Sequence, residues 1–417
     1  MTALSPPAPS SPMLERSAYL AFLGFAAALQ VSIAASNIML ALTALLWLVL
    51  VIRGRERIEV PAFFWLLLAY AGWTLVATVF SIDPGRSVRD TKQLLLFAIV
   101  PIAYRLLRGD RSLTAVDVVI SVAALSASIG LVQFGILKWN DFDRRPEGAF
   151  SHYMTYSGQL MLVICLATAR VLFWPKDRTW PLLVLPALLV ALIAPLTRNA
   201  WVGACAGVGL LLLFRDFRLL GLFPVAAALF IALAPEAVTD RIYTAFRPAD
   251  SQSRSAVASA QSAHDRIAML HSGWRMIQDH PLTGVGPDMV IEVYPVYRDR
   301  RAVNQLNPHL HNVPVQIAAE RGVPALLIWL GFVFVLVRDL FRLRRASAWI
   351  FLANAGLASV AAMITAGMFE YNFGDSEFLM LFLLLVTLPF AGSASNERAA
   401  ASTATEQRGR LEGSRPS

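Results

Sequence analysis

The stretch Asn37-Ile-Met-Leu-Ala-Leu-Thr-Ala-Leu-Leu-Trp-Leu-Val-Leu-Val-Ile52 contains no charged side chain. It follows another apolar run at 18–36, and similar runs recur along the chain. A helix that crosses the hydrocarbon core of a bilayer needs roughly 20 predominantly apolar residues. The stretch therefore predicts a membrane-spanning helix, and its repetition predicts a protein built from such helices.

The composition supports this fold class. Of 417 residues, 57% are hydrophobic and only 15% are charged, which is more apolar material than a soluble fold of this length buries. We expect an all-α membrane protein with about twelve transmembrane helices. The candidate runs lie near 18–36, 37–52, 61–80, 93–107, 113–137, 155–173, 180–196, 199–214, 218–235, 313–337, 347–367 and 376–392.

The runs divide the chain into five parts. We expect an N-terminal tail at 1–17, spans one to nine within 18–235, a large outer loop with amphipathic helices at 236–312, spans ten to twelve within 313–392, and a disordered tail at 393–417.

The positive charges of the short loops orient the chain. Cytoplasmic loops of membrane proteins carry an excess of Lys and Arg. The even-numbered connections hold Arg53, Arg55, Arg57, Arg105, Arg108, Arg111, Lys176, Arg178, Arg215, Arg218, Arg338, Arg342, Arg344 and Arg345. These loops and both termini are expected to be cytoplasmic, and the 236–312 loop then faces the opposite side.

A polar cluster, Asn307-Pro-His-Leu-His311-Asn312-Val-Pro-Val-Gln316, lies where the outer loop enters span ten. Pro308 favours a helix start with Asn307 as the N-cap, which would place both histidines in its first turns. An imidazole is well suited to take a hydroxyl proton near neutral pH. The sequence leaves open whether His311 does this or only forms a hydrogen bond at the helix entry.

Two arginines have a context that singles them out. Arg198 interrupts the apolar runs seven and eight, where a charge must face a cavity or reach towards the interface. Arg266 lies in a predicted amphipathic helix capped by Ser262 and ended near Pro281. The pattern leaves open whether Arg266 points to water or into a cleft. Guanidinium groups on the outer side suggest a phosphate or pyrophosphate ligand.

Several classes of function lack support in the sequence. It has no Cys/His metal spacing, no P-loop and no dinucleotide-binding glycine pattern, so we expect no metal, cofactor or nucleic acid. The alternative of a different class is a small-solute transporter, which would show discontinuous helices and internal repeats. Neither feature is clear in the sequence.

Short motifs in a fixed order resemble the O-antigen ligase family from about residue 80 to 377. They are Gly148-Ala-Phe-Ser-His152, Leu196-Thr-Arg198-Asn-Ala-Trp201, Arg266 with Trp274 and His280-Pro-Leu-Thr-Gly-Val-Gly286, and His311-Asn312 with Gln316 and Glu320-Arg-Gly322. The Thr197-Arg198 pair departs from the family's more usual Ser-Arg-Gly form.

This resemblance implies a GT-C-type glycosyltransferase of the Gram-negative inner membrane, with its active site at the periplasmic face. Such an enzyme would transfer a glycan from undecaprenyl pyrophosphate to a hydroxyl of the lipid A–core oligosaccharide, without a metal. By motif, Arg198 and Arg266 would hold the pyrophosphate and His311 would assist the acceptor hydroxyl. Related enzymes polymerise O-antigen or glycosylate proteins, and both alternatives stay open.

Further substrate-binding candidates come from the predicted outer loops and from the family motifs. They are Arg86, Arg89, Arg145, His152, Trp274, Asn312, Gln316, Tyr371 and Glu377. Tyr294, Tyr297, Arg298, Arg300 and Arg301 would contact either lipid head groups or a phosphorylated core sugar. We expect direct attack with inversion, because no carboxylate nucleophile is evident beside the histidine.

Overall fold

The computed structural model describes residues 12–139, 144–221, 254–346 and 349–413, and within them the chain is helical and has no β-strand. The α-helices are α1 (Pro12–Ala28), α2 (Ile33–Gly54), α3 (Phe63–Val79), α4 (Pro84–Asp90), α5 (Ile99–Leu106), α6 (Arg111–Gly135), α7 (Tyr153–Phe173), α8 (Thr179–Ile193), α9 (Arg198–Arg215), α10 (Arg254–Asp279), α11 (Val290–Tyr297), α12 (Val313–Ala346), α13 (Ile350–Gly367) and α14 (Ser376–Gly413). Short 3-10 segments lie at Thr91–Ala98, Pro175–Asp177, Phe217–Gly221 and Asn372–Gly374.

Six of the described helices are long and apolar enough to cross a membrane. They are α2, α6, α7, α12, α13 and the part of α14 that ends at Ala394, and α3 and α8 are shorter apolar helices. The all-α prediction is confirmed, and these helices fit a multi-pass membrane protein. The predicted number of twelve spans is not reached among the described residues.

Local chemistry explains why some predicted runs fall short of a full span. The run at 93–107 forms a 3-10 segment followed by α5, which has only eight residues. Pro101 lies in the first turn of α5 and lacks the N–H that a continuous α-helix needs there. The run at 18–36 is divided by a turn, because the Ser32 hydroxyl accepts a hydrogen bond from Ala35 N and begins α2. The run at 218–235 lies outside the described residues beyond position 221.

The two ends of the described chain also differ from the predicted tails. α1 begins at Pro12, within the segment predicted as an N-terminal tail at 1–17. α14 continues past the predicted end of span twelve at 392 to Gly413, through the segment expected to be disordered. That segment is rich in alanine, glutamate and arginine, which are strong helix formers.

The core of the bundle is formed around α7, α13 and α14, whose side chains are mostly buried. α9 packs closely against α7 and α13 because Gly203 and Gly207 face them one helical turn apart. A β-carbon at Gly203 would lie 2.3 Å from the Met161 sulfur, and one at Gly207 would lie 2.4 Å from that of Cys165. Small residues at such contacts let membrane helices approach closely, and here they fix the position of α9 and its first residue, Arg198.

A second, smaller core attaches the segment from α10 to α11 to the start of α12. It includes Met276, Val290 and Tyr294, all fully buried. Backbone hydrogen bonds complete this attachment, from Val285 N to Ala319 O at 2.8 Å and from Gly286 N to Glu320 O at 3.0 Å. Ile82 N also donates to Val285 O at 3.1 Å, so the end of α3 lies at the same side of the bundle as this segment.

α12 is broken at Gly322, which has a left-handed φ of 79°. The buried Arg321 beside the break forms salt bridges with Asp90 at 2.9 Å and with Glu320 at 2.5 Å, and it donates to the Tyr371 hydroxyl at 3.3 Å. This break follows the first turns of α12 and so lies near its beginning, on the side of the bundle that carries α10 and α11. A buried charge of this kind is stable only with its partners in place.

Gly322→Ala tests the break. A β-carbon there would lie 1.9 Å from the Leu282 carbonyl oxygen, and the left-handed backbone is unfavourable for alanine. We expect a loss of more than about 2 kcal/mol in the free energy of unfolding, measured by thermal unfolding in detergent. Gly331→Ala on the same helix is the matched control, because its nearest neighbours lie 3.9 Å away. Equal stability of the two variants would contradict this account of the break.

Candidate active site

Arg198 is held at the first position of α9 by the turn that precedes it. α8 ends at Ile193, Leu196 has a left-handed φ of 58°, and α9 begins at Arg198. The buried Thr197 anchors the turn, since its hydroxyl accepts a hydrogen bond from Ser157 Oγ at 3.1 Å. The predicted interruption between apolar runs seven and eight is therefore present, and it places the guanidinium at the mouth of the bundle.

Arg266 lies in the middle of α10, and the neighbouring Asp265 fixes this part of the helix. The Asp265 carboxylate accepts hydrogen bonds from the backbone N–H groups of Val303 and Asn304 and from the Asn304 amide. The predicted cap at Ser262 is wrong, because α10 already begins at Arg254. Asp265 therefore ties two parts of the outer segment together instead of completing a helix cap.

His311 precedes α12 in a strained backbone conformation, with a φ of 49°. The predicted N-cap at Asn307 is wrong, because α12 begins at Val313 and the side chain of Asn312 accepts from Val315 N at 3.0 Å. Gln316 supports the same turn by accepting a hydrogen bond from Leu310 N at 2.6 Å. Both histidines thus lie in the loop ahead of the helix, and α12 holds that loop through Asn312 and Gln316.

Glu370 joins the two histidines. The sequence placed it in a stretch, Glu370–Glu377, that was expected to line the acceptor side, but did not identify it as the partner of the histidines. Its carboxylate oxygens lie 2.9 Å from His309 Nε2 and 2.9 Å from His311 Nδ1, respectively. Burial by itself would raise the pKa of Glu370, but the hydrogen bonds with His309 and His311 lower it below its ordinary value. The carboxylate is therefore ionised at neutral pH.

Two adjoining cavities share the three residues predicted to be catalytic. A polar cavity of about 360 Å³ and a more apolar one of about 390 Å³ are both lined by Arg198, Arg266 and His311. The polar cavity continues along Thr197, Gln261, Ser262, Asp265, Val303 and Asn304. The apolar cavity continues along Val202, Ile267, Leu270, Leu310, Met368 and Phe369. Side chains that are distant in the sequence therefore meet at one space.

The two guanidinium groups differ from the structural arginines in their pairing. Among the described residues, neither Arg198 nor Arg266 forms a hydrogen bond or a salt bridge, and their like charges repel each other. Burial lowers the pKa of Arg266, an effect that nearby Glu370 opposes. The buried Arg170 and Arg321, in contrast, each contact two carboxylates. Two half-buried, unpaired cations facing one cavity form a site for an anion.

A third cavity of about 300 Å³ lies on the other side of the histidine pair. His309, Glu370 and Tyr371 line it, together with His152 and Asp375. Burial raises the pKa of Tyr371 well above its ordinary value, so its hydroxyl stays neutral. The cavity presents carboxylates, imidazoles and a phenol, which are groups that hydrogen-bond to sugar hydroxyls.

His309, His311 and Glu370 also form the one group among the described residues whose donor atoms lie close enough together to hold a metal ion. These atoms lie within 4.8 Å of one another. Each carboxylate oxygen already has an imidazole partner at hydrogen-bond distance. The arrangement is therefore satisfied as a hydrogen-bonded triad, and its chemistry needs no metal to explain it.

The other predicted substrate-binding residues fall into two groups. Arg145, His152 and Tyr371 line the cavities, and the Arg145 guanidinium lies 4.5 Å from the centre of the Tyr153 ring. The remaining candidates line none of the three cavities: Arg86, Arg89, Trp274, Asn312, Gln316 and Glu377.

Several of the candidates that line none of the three cavities have other contacts or are exposed. Arg86 is paired with Asp288 and Glu292. The Asn312 amide donates to Met368 O at 3.0 Å, and Trp274 is 60% exposed. Asn312 and Gln316 hold the backbone at the start of α12 through their hydrogen bonds with Val315 N and Leu310 N. We therefore assign both residues to positioning the loop that carries the histidines, and not to direct contact with a ligand.

The fold and the cavities describe a helical, multi-pass membrane protein in which two half-buried arginines face the same cavities. Residues 182–330 match the family model described as O-antigen ligase, so the resemblance seen in the sequence is confirmed over that segment. The matched segment contains Arg198, Arg266 and His311. Among curated proteins, none matches the chain.

Replacing Arg266 with glutamine tests whether the guanidinium pair is kept for a ligand. In the ligand-free protein the change removes a half-buried charge that repels Arg198, so we expect a gain of about 0.5–1 kcal/mol in stability. Thermal unfolding in detergent without added anions measures it. Arg321→Gln is the contrasting variant and should lose stability, because Asp90 and Glu320 would lose their partner. A marked loss in Arg266→Gln would contradict the view that this charge lacks a structural partner.

Proposed function

We propose that the protein transfers a glycan from an undecaprenyl-pyrophosphate carrier to a hydroxyl group, as an O-antigen ligase does. The observation that carries this proposal is the pair of unpaired guanidinium groups, Arg198 and Arg266, facing one cavity beside His311. The family match over residues 182–330 supports ligase or polymerase activity in general. The donor, the acceptor and the direction of transfer are our inferences from the site.

The donor fits the two adjoining cavities by its chemistry. A pyrophosphate between Arg198 and Arg266 would meet both guanidinium groups, and one charge pair at about 4 Å is worth about 4 kcal/mol at an effective dielectric constant near 20. The apolar cavity with Val202, Ile267 and Leu270 suits the isoprenoid chain. The polar cavity then takes the glycan, whose hydroxyl groups need hydrogen-bonding partners.

His311 is suited to act as the general base. Its Nδ1 lies at hydrogen-bond distance from the ionised Glu370, which favours the tautomer with a proton on Nδ1 and leaves Nε2 to accept one. The acceptor oxygen would form a bond to the anomeric carbon while the bond from that carbon to the pyrophosphate oxygen breaks. The hydroxyl proton would move to Nε2, and the two arginines would stabilise the charge on the departing pyrophosphate. Direct attack of this kind inverts the anomeric configuration.

The acceptor is the least constrained part of the proposal. A lipid A–core hydroxyl would make the protein a ligase in lipopolysaccharide biosynthesis, a second lipid-linked glycan would make it a polymerase, and a protein hydroxyl would make it an oligosaccharyltransferase. The third cavity adjoins His309 and Glu370 and suits a sugar, which favours the two glycan acceptors. We assign the first of these and expect a comparison of the three acceptors to decide.

The cellular setting follows from the same proposal. A GT-C-type enzyme using this donor would lie in the bacterial inner membrane, with the cavities at the periplasmic face and both termini in the cytoplasm. Solute transport is the weaker candidate. The break in α12 at Gly322 lies near the beginning of the helix and holds paired charges, whereas a carrier would place such a break at the middle of the membrane.

Transfer by purified protein tests the base assignment. With lipid-linked glycan and lipid A–core, His311→Ala should lower kcat by about 10²–10⁴. Glu370→Gln should lower kcat with little change in KM for the donor, because it alters the orientation and tautomer of the imidazole and lines neither donor cavity. The double variant should be no slower than His311→Ala, since Glu370 acts through His311. His264→Ala, which removes an exposed imidazole on α10, is the matched control. Additive losses in the double variant would exclude the positioning role of Glu370.

The anion site is tested with the same reaction in the presence of a chelator. Arg198→Ala and Arg266→Ala should each reduce kcat/KM for the donor by at least about tenfold, because a charge-assisted contact to pyrophosphate is lost. Arg342→Gln, an exposed arginine on α12, should leave the rate unchanged. Near-normal rates in both cavity variants would refute the donor site, and a strict requirement for a divalent metal would refute the proposed chemistry.

A further inference from the structure

A separate cluster of positive charge lies on α10 and on the segment that follows α11. A concave space of about 550 Å³ lies between these two elements, and it is lined by His271, Arg275, Arg298, Asp299, Arg300 and Arg301. We call these six residues the arginine surface. It shares no lining residue with the cavities that hold Arg198, Arg266 and His311. The proposed transfer reaction therefore does not account for it.

The charge of the arginine surface is not neutralised from within. Its one carboxylate, Asp299, lies 3.4 Å from His271 Nδ1 and accepts a hydrogen bond from Arg301 N at 2.8 Å. Among the described residues, no salt bridge engages any of the four arginine side chains of this surface. Four guanidinium groups beside one occupied carboxylate leave a net positive surface that attracts anions.

The surface is held in place by hydrogen bonds rather than by its charges. Asp299 N donates to the buried Ser272 hydroxyl on α10 at 3.2 Å. A few residues later, Val303 and Asn304 are bound to Asp265 of the same helix. The segment that carries three of the arginines is thus fastened to α10 on both sides, so the arginines of both elements stay together without a ligand.

An exposed apolar stripe runs along α10 beside these charges. Ile267, Leu270 and Trp274 are 56%, 38% and 60% exposed, and their spacing places them on one face of the helix. His271 and Arg275 lie on the adjacent face, while Met269 and Met276 face the core. A surface helix with an apolar stripe bordered by cations is typical of a helix that lies in the membrane interface. Ile267 and Leu270 also line the apolar cavity, so the stripe extends from the wall of that cavity to Trp274, which lines none of the three cavities.

We propose that the arginine surface binds the phosphate head groups of anionic membrane lipids while the stripe of Ile267, Leu270 and Trp274 enters the bilayer beside them. Basic residues at the membrane interface attract anionic head groups, and a guanidinium group binds phosphate through two hydrogen bonds. Because α10 also carries Arg266, lipids bound at this surface hold the wall of the cavity at the level of the membrane. Such contact positions the cavity where a lipid-linked donor can enter sideways.

A lipid-contact measurement tests this proposal directly. The background variant is Cys205→Ala, because Cys205 is exposed whereas Cys165 is buried. Gln278→Cys then carries a fluorescent label, because this exposed residue lies one turn after Arg275 on α10. The labelled protein is placed in phosphatidylcholine nanodiscs with the same small fraction of spin-labelled phosphatidylglycerol or spin-labelled phosphatidylcholine. We expect the anionic lipid to quench about fivefold more effectively, the factor expected for one cation close to an anionic surface.

Two triple variants separate this surface from general charge. Arg275→Gln with Arg300→Gln and Arg301→Gln should reduce the quenching by phosphatidylglycerol to the level of phosphatidylcholine. Arg53→Gln with Arg55→Gln and Arg57→Gln removes the same charge from the end of α2 and the loop before α3, and should keep the preference. This loop precedes α3, which is about 25 Å long and whose far end lies on the side of α10 and α11. Unchanged quenching by phosphatidylcholine and unchanged elution show that each variant is folded, and Arg300→Gln alone should give a partial loss.

Three results would overturn the proposal. One is equal quenching by the two lipids in the parent protein, and another is the same loss of preference in both triple variants. The third is a preference that inorganic phosphate abolishes at constant ionic strength, which would make the surface a site for free phosphate. None of these measurements uses glycan transfer, so they stand apart from the test of the enzymatic activity.

Discussion

The guanidinium groups of Arg198 and Arg266 carry like charges, face the same space and have no carboxylate bound to them among the described residues. Removing such a charge partly from water without a partner lowers the stability of the folded protein. The protein pairs its deeply buried arginines, Arg170 and Arg321, with carboxylates. The cost at the cavity is consistent with a site that is completed only when an anionic ligand arrives, and the rest of the outer architecture holds the two arginines in that position.

Each of these arginines is placed by contacts distant from its charge. Arg198 is fixed because Gly203 and Gly207 let α9 lie close to α7 and α13. Arg266 is fixed because α10 packs its methionine face onto the start of α12 and Asp265 holds the neighbouring chain. Neither arginine can move away from the other unless the packing that holds α9 or α10 is opened. The repulsion is therefore kept in the folded protein instead of being relieved by movement.

The sequence predicted the helical class, because apolar runs are local signals. That Arg198, Arg266 and His311 belong to one site was expected from the family resemblance, since residues so far apart in the chain give no local sign that they line the same cavities. The sequence did not identify Glu370 as the partner of the histidines, because a carboxylate after one apolar run gives no local indication that it will face a loop about sixty positions earlier. It also placed the start of α12 too early, at Asn307, because two prolines and two asparagines offered competing helix starts. Asn312 forms the cap, since its side chain reaches Val315 N. Pro101 lies within the apolar run at 93–107, which forms a 3-10 segment and the short α5 instead of one long helix, and the proline leaves the hydropathy of that run unchanged.

The proposed reaction needs one base, and two imidazoles share the Glu370 carboxylate. Glu370 binds His309 through Nε2 and His311 through Nδ1, so the ring nitrogen left free differs between them. His311 lines both cavities that contain Arg198 and Arg266, whereas His309 lines only the third. A base must reach the acceptor hydroxyl at the point where the bond to the pyrophosphate breaks, and only His311 adjoins the arginines there. His309 shares the same carboxylate, and this second bond restrains Glu370 so that it cannot rotate away from His311.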